Sequence, residues 1–430
     1  MAHLPSLSAL TARFRSSDFA RNSLILSAGV ALAQVLPFLF YPLLGRIFSA
    51  EEFGLLANLS SIITVLAVVG SGKYESGIVI ADSKREAANL AVLSVVVGFV
   101  TMLVGWLICE FFLLGGLSSW LHEPQLSRWV YLCPITALSI IVFNVYNEWC
   151  VREKYFKSLA LNKIINSSAI VLSKTLFGFV RIFSQGLVMG DVIGRAISAL
   201  GCLFRALWHD GAVFAQTSWA EMRRCAVKFR EFPLFNMPGR LLNSLGQAVP
   251  IWIITFYFGN AQVGLFSMAM TLFSVPINII STSVSDVYRQ RATEEYRQKG
   301  SCLASFDKIM WVLTVLGVAF LLIFEWFLPS LTALFLGSQW YEAGRFAQIL
   351  APAMVLMFVS NSLSGMFIVA ERQRAFFFWQ LYFALSTLLS VWLGGLLFGT
   401  VQATLILFAV FRSSAYLASL WLTRQFAKGK

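Results

Sequence analysis

A chain of 430 residues that is 58% hydrophobic and only 13% charged is too apolar to fold as a water-soluble globule of that length. Its formal net charge of +12 invites a nucleic-acid partner, but the basic residues gather in the connections between apolar runs, where membrane topology needs them, and no nucleic-acid partner is expected. The strict alternation of a membrane β-barrel is absent.

Apolar runs predict helices over 23–44, 53–72, 88–112, 128–148, 160–180, 186–206, 238–258, 262–285, 309–335, 345–370, 376–398 and 402–423. Each is about 20 residues or longer, enough to cross the roughly 30 Å hydrocarbon core of a bilayer. The first run begins only after Arg21 and is followed by no small-residue cleavage site, so it is expected to be retained. Joints such as Gly259 to Ala261 and Gly399 to Val401 are so short that they force antiparallel neighbours. With the N-terminus inside, 26 basic residues fall in inner segments and only Arg46, Arg128, Arg181 and Arg345 in outer ones, which orients both termini toward the cytoplasm. The longest outer loop, about Phe112 to Arg128, leaves no room for an outward catalytic domain.

The expected division is a cytoplasmic segment over 1–22, a six-helix lobe over 23–206, a cytoplasmic linker over 207–237, a second six-helix lobe over 238–423 and a tail over 424–430. Glu221, Arg223, Arg224, Lys228, Arg230 and Glu231 in the linker fit either an amphipathic helix on the inner leaflet or an ordinary solvated connection. The two halves echo each other. Gln34 to Pro37 matches Gln247 to Pro250 at an offset of 213, and Phe53 to Leu56 matches Val263 to Phe266 at an offset of 210. An even number of helices per half puts both halves in one orientation, with the repeat axis along the membrane normal.

An ionisable residue at membrane depth is costly and normally faces a bundle interior or a wet pathway. Asp191 and Arg195, four apart, can pair on one face, either as a structural bridge or as part of a site. Lys174 and Arg412 have no opposite charge at helical spacing on their own helices and are candidates for an anion-attracting lining. Glu325 sits beside Trp326 and Pro329 near a helix end, where an interfacial position is cheap. The first and seventh helices carry a polar stripe that includes Ser27, Gln34, Asn236, Arg240, Asn243, Ser244 and Gln247, with Pro37, Pro238 and Pro250 permitting either a moving bend or a static kink.

Enzyme chemistry has little to stand on. Gly70-Ser71-Gly72-Lys73 resembles a fragment of a phosphate loop, but Ala67 replaces the earlier glycine and Tyr74 the following hydroxyl residue, so no ATP site is expected. The six cysteines and three histidines are scattered without ligand spacing, so neither metal nor cofactor is expected.

Several stretches stand out as a set. They are Arg21-Asn22, Gln34 with Pro37, and the run from Pro42 through Gly45-Arg46 to Phe53-Gly54. Tyr74-Glu75-Ser76-Gly77, Glu86-Ala87-Ala88-Asn89-Leu90, Phe232-Pro233-Leu234-Phe235 and Val263-Gly264-Leu265 through Pro276 complete it. With these stretches the chain bears a resemblance to the O-antigen type of polysaccharide flippase, in the multidrug/oligosaccharidyl-lipid/polysaccharide exporter superfamily. It implies an all-α polytopic protein of two six-helix lobes, related by a pseudo-two-fold axis, around a cationic cavity that alternates between inward-facing and outward-facing states. The implied cargo is an undecaprenyl-pyrophosphate-linked oligosaccharide moved across the bacterial inner membrane. The implied partners are membrane lipids, a coupling proton or sodium ion, and the polymerase and chain-length proteins of the same pathway.

On this resemblance Lys174, Arg195, Arg240 and Arg412 would attract the pyrophosphate, and Lys73, Tyr74 and Glu75 would sit at the inner gate. Lipid II flippases, a more distant likeness, carry two further helices and an Arg-Asp pair in the first helix, where this chain has apolar residues and Gln34. Export of small cationic drugs, and a membrane polysaccharide polymerase or ligase, are the alternative readings; the first wants lumenal carboxylates and the second a large outer loop.

Overall fold

The computed structural model describes residues 18–114, 129–180 and 185–429. The N-terminal segment up to residue 17, the outer loop read over Phe112 to Arg128 from residue 115 on, Arg181 and the last residue lie outside the described part. Within it the chain is almost wholly helical: α1 (Asp18–Ile47), α2 (Ala50–Gly70), α3 (Lys84–Leu114), α4 (Leu132–Arg152), α5 (Phe156–Val180), α6 (Gly186–Phe214), α7 (Trp219–Lys228), α8 (Met237–Lys299), α9 (Leu303–Phe324), α10 (Leu328–Leu336), α11 (Tyr341–Leu363), α12 (Met366–Val369), α13 (Gln373–Phe398) and α14 (Val401–Ala427).

Ten described segments are long and apolar enough to cross a membrane. The segment Phe232–Lys299 contains two spans, because Gly259 interrupts α8 with φ 82° and ψ 174°, a conformation that a side chain would make costly. α4 is a further helix of 21 residues whose hydropathy Asn144, Asn147, Glu148 and Arg152 dilute. Together these match the twelve spans expected from the sequence.

Three edges differ instructively. The run read over 309–335 is two helices, α9 and α10, joined by a 3-10 turn over Glu325–Phe327, because Pro329 opens a new helix where its missing N–H costs nothing. The charged stretch read as a connection after residue 285 instead prolongs α8 to Lys299, where Arg291 and Glu295, one turn apart, form a 2.9 Å ion pair. α6 likewise runs past its span to Phe214, with Asp210 non-helical inside it.

The helices gather into two compact units. Of the described residues, one unit holds those up to Phe40, in Leu66–Glu110 and in Tyr131–Gly239. In it Gly190 and Gly194 of α6 have no space for a Cβ against the backbone of Lys174 and Ile170 in α5, and Gly186 is similarly tight against Phe177, so small residues every four positions let the two helices meet backbone to backbone.

The other unit holds Tyr41–Val65 and the chain from Arg240 on. In that second unit Trp340, fully buried, donates from Nε1 to the Gly45 carbonyl at 2.7 Å and stands edge-on to Phe53 at 5.1 Å between centroids. Gln339 donates to the same carbonyl and to Phe48 O at 3.2 Å, so the α1–α2 turn is held by the residues just before α11.

The second unit also contains a reciprocal crossing. A Cβ on Gly54 of α2 would overlap the carbonyl oxygen of Asn260, and one on Gly264 would overlap the carbonyl oxygen of Ala50. Gly54 and Gly264, and likewise Ala50 and Asn260, are equivalent positions of the repeat at the offset of 210.

Candidate functional site

α5 and α6 bring together three of the ionisable residues that the sequence places at membrane depth. Asp191 is buried, and it accepts from Lys174 Nζ at 2.8 Å on one oxygen and from Arg195 Nε at 2.6 Å on the other. The i,i+4 pairing of Asp191 with Arg195 is as read from spacing. Lys174 joins them across the glycine crossing, so it has its opposite charge on the neighbouring helix rather than its own. Two cations on one carboxylate leave one positive charge in surplus. The side chains of Lys174 and Arg195 are 14% and 27% exposed, so that surplus is only partly shielded from whatever borders them.

Arg412 stands differently. It is 7% exposed, in the middle of α14, with its guanidinium carbon 4.3 Å from the ring centre of Phe383, 5.1 Å from Phe408 and 5.9 Å from Tyr416. NH1 donates to Thr387 Oγ1 at 3.3 Å, Nε has no hydrogen-bond partner, and among the described residues no carboxylate lies within ion-pair distance. Rings on three sides compensate part of the desolvation of the charge. Two of them, Phe408 and Tyr416, lie one turn either side of Arg412 on α14, a spacing that the sequence displays but that carries meaning only once Phe383 on α13 completes the cage.

Arg240 is exposed near the start of α8, and no ion pair is formed by it among the described residues. Asn243 and Gln247, also exposed, are linked by a 3.0 Å hydrogen bond along the same stripe. Gln34 and Pro37 are half-buried in α1, and Pro250 is buried in α8; both helices run through their prolines without interruption.

The residues read as an inner hairpin form a compact turn. Gly72 and Lys73 adopt left-handed φ of 56° and 60°, which reverses the chain between α2 and the 3-10 helix Tyr74–Gly77. Lys73 Nζ pairs with Glu75 at 2.9 Å, Glu75 Oε2 is buried without a hydrogen-bond partner, and Tyr74 donates to the Ala226 carbonyl at 3.4 Å. Lys73 is therefore neutralised within its own turn.

Sequence reading misses a buried polar cluster beside the glycine crossing. Asn58 Nδ2 donates to Thr255 Oγ1 at 2.7 Å and to Asn260 Oδ1 at 2.8 Å, while Trp252 Nε1 donates to Ser61 Oγ at 2.7 Å. Its members are individually unremarkable polar residues, separated by about 200 positions, and only the fold unites them. Among the described residues no group of His, Cys, Asp and Glu could hold a metal ion.

The sequence profile of a family described as polysaccharide biosynthesis protein matches residues 43–345. Among curated relatives, the teichuronic acid biosynthesis protein TuaB of Bacillus subtilis (strain 168) is 23% identical over 292 residues, 64% of this chain and 57% of that protein. The succinoglycan biosynthesis transport protein ExoT of Rhizobium meliloti (strain 1021) is 24% identical over 385 residues, 86% of this chain and 72% of that one. The chain thus spans little more than half the length of the former. Among solved structures, the fold is similar to that of the lipid II flippase MurJ in an inward closed conformation, with a TM-score of 0.72 at 12% identity over 93% of this chain and 87% of that one. It is also similar to an inward-facing multidrug resistance transporter of the MATE family, with a TM-score of 0.66 at 14% identity over 93% and 97%.

Proposed function

Since the chain belongs to the polysaccharide biosynthesis protein family, with its profile matched over residues 43–345, we propose that it moves an undecaprenyl-pyrophosphate-linked oligosaccharide repeat unit, of O-antigen or a related surface polysaccharide, from the inner to the outer leaflet of a bacterial cytoplasmic membrane. The movement proceeds by alternating access and draws on an ion gradient, protons or sodium. The observation that carries the reading is the surplus of positive charge among the residues read at membrane depth, where Lys174, Arg195 and Arg412 outnumber Asp191 and Glu325. A pyrophosphate brought into a region of low dielectric is attracted most strongly by such charges, while its lipid tail remains in the bilayer.

Each candidate then has a graded part. The surplus charge of the Lys174–Asp191–Arg195 group and the open guanidinium of Arg240 draw the diphosphate. Arg412, caged by rings, adds to the field at depth, and the turn of Lys73, Tyr74 and Glu75 forms part of the inner gate. The named roles of two relatives in teichuronic acid and succinoglycan biosynthesis support a polysaccharide cargo, and the likeness to a flippase structure supports a membrane pathway of this general build.

Deleting the gene in its native host, and testing radiolabelled lipid-linked repeat units for cleavage by an impermeant glycosidase from the periplasmic side, separates the alternatives. The expected result is loss of surface polysaccharide with the labelled intermediate protected inside. Single repeat units that reach the outside unpolymerised would overturn the proposal in favour of a polymerase or ligase. Normal polysaccharide with altered drug resistance would leave small-molecule export.

A further inference from the structure

The connection between α6 and α8 has two opposed faces. One is docked: Cys225 and Phe229 are buried, Glu221 pairs with Arg85 at 3.1 Å and accepts from Asn89, and Lys228 bridges Asp82 at 2.7 Å and Glu86 at 2.6 Å. Phe229 also fills the space over Gly77 in the inner hairpin. The helix is therefore not a free solvated connection, since one of its sides is committed to the first turns of α3 and the hairpin that precedes them.

The other face is open. Trp219, Arg223 and Val227 follow one another at spacings of four, which is a single stripe of α7, with Arg224 beside it on the helix and Arg230 and Phe235 exposed in the turns that follow. Trp219, Val227 and Phe235 are 69%, 62% and 74% exposed, and among the described residues none of the three arginines has an ion pair. Both ends are tied to membrane-spanning helices, through the four residues after Phe214 and through a π-helical turn over Phe232–Asn236 that runs straight into α8. A ten-residue helix tethered so closely at both ends lies at the membrane surface. Guanidinium groups alternating with an indole and apolar side chains match that boundary, with phosphates for the former and the headgroup–acyl region for the latter.

We propose that this face of α7 and the turn after it binds anionic phospholipid headgroups, with Trp219, Val227 and Phe235 entering the interface and Arg223, Arg224 and Arg230 pairing with lipid phosphate. Since the opposite face grips Asp82, Glu86 and Asn89, lipid binding fixes the inner hairpin to the leaflet. Three arginines near an anionic surface amount to a preference on the order of a hundredfold over a neutral one. The inference is independent of the cargo and stands or falls without it.

The test is a nitroxide on Val227→Cys in the full chain carrying Cys109→Ser, in nanodiscs of phosphatidylcholine with or without phosphatidylglycerol; Cys133, Cys150, Cys202, Cys225 and Cys302 are buried. Accessibility to a water-soluble nickel chelate is expected to fall at least threefold when phosphatidylglycerol is present, with a matching gain toward oxygen. The fall is expected to vanish in the Arg223→Gln, Arg224→Gln, Arg230→Gln background and to return when the three are lysines. A label open to water in both compositions would overturn the proposal and leave the face for a protein partner. Equal immersion in both, or an undiminished response in the glutamine variant, would overturn the role of the arginines.

Discussion

At the scale of single residues, Asp191 decides how much charge α5 and α6 present. It is buried under two cations, so replacing it with asparagine strands both in a low-dielectric setting. Breaking such a buried group by removing one partner costs about 3–5 kcal/mol. Asp191→Asn is therefore expected to lower the thermal midpoint of the detergent-purified protein well below that of Arg195→Gln, which leaves the Lys174–Asp191 pair intact. Half of this group is legible in the sequence. The Asp191–Arg195 pair is local and follows from helical spacing, whereas the place of Lys174 depends on where α5 crosses α6, which Gly186, Gly190 and Gly194 determine through contacts that no spacing rule records.

A second residue-scale feature gives a pH dependence. The Lys228 ammonium beside Asp82 holds that carboxyl below the ordinary carboxylate range, and Asp82 with Glu86 raises Lys228 in turn. A carboxyl depressed in the folded state stabilises it fully above its unfolded pKa, and loses that contribution as pH falls through the lower folded value. Amide exchange in α7, taken relative to the intrinsic rate at each pH, is expected to be constant from neutral pH down to about 4 and to quicken below it. In Asp82→Asn the exchange should be faster at neutral pH and flatter with acid.

At the scale of elements, the helices are where sequence reading works best, because a span of twenty apolar residues has few other solutions in a bilayer. Its misplaced edges share one cause. Hydropathy ends where charge begins, but backbone hydrogen bonding does not, so α6 and α8 run on into polar sequence to Phe214 and Lys299. Conversely, α9 and α10 stay apolar across their break, and only Pro329 marks it. The crossing of α2 with the second half of α8 leaves no room for a Cβ at Gly54 or Gly264. Gly54→Ala is expected to destabilise the protein by about 1–3 kcal/mol through overpacking, read as a fall in thermal midpoint, whereas Gly239→Ala, where a Cβ meets nothing within 4 Å, is expected to have little effect.

At the scale of the whole molecule, the number of spans and the imbalance of basic residues together predict a topology that can be checked directly. Lys299 and Thr400 are both exposed, at the end of α8 and the start of α14. With both termini inside, a cysteine at Lys299 is expected to react with an impermeant maleimide only in inverted vesicles, and one at Thr400 in intact cells; the reverse pattern would invert the whole assignment. The aromatic cage of Arg412 marks the limit of sequence reading at this scale. A buried arginine is conspicuous in a sequence, but whether it greets a ligand or is wrapped by its own chain depends on a ring from the preceding helix.

The glycine crossing has the symmetry of a contact between two identical molecules, although it lies within one. Gly54 meets the residue equivalent to the one that Gly264 meets, so a six-helix half facing a copy of itself would form the same crossing twice about a two-fold axis. The two glycines consequently share a single clearance. Once an alanine at either position has pushed the helices apart, the second finds room already made, and the double variant is destabilised by less than its two parents added together.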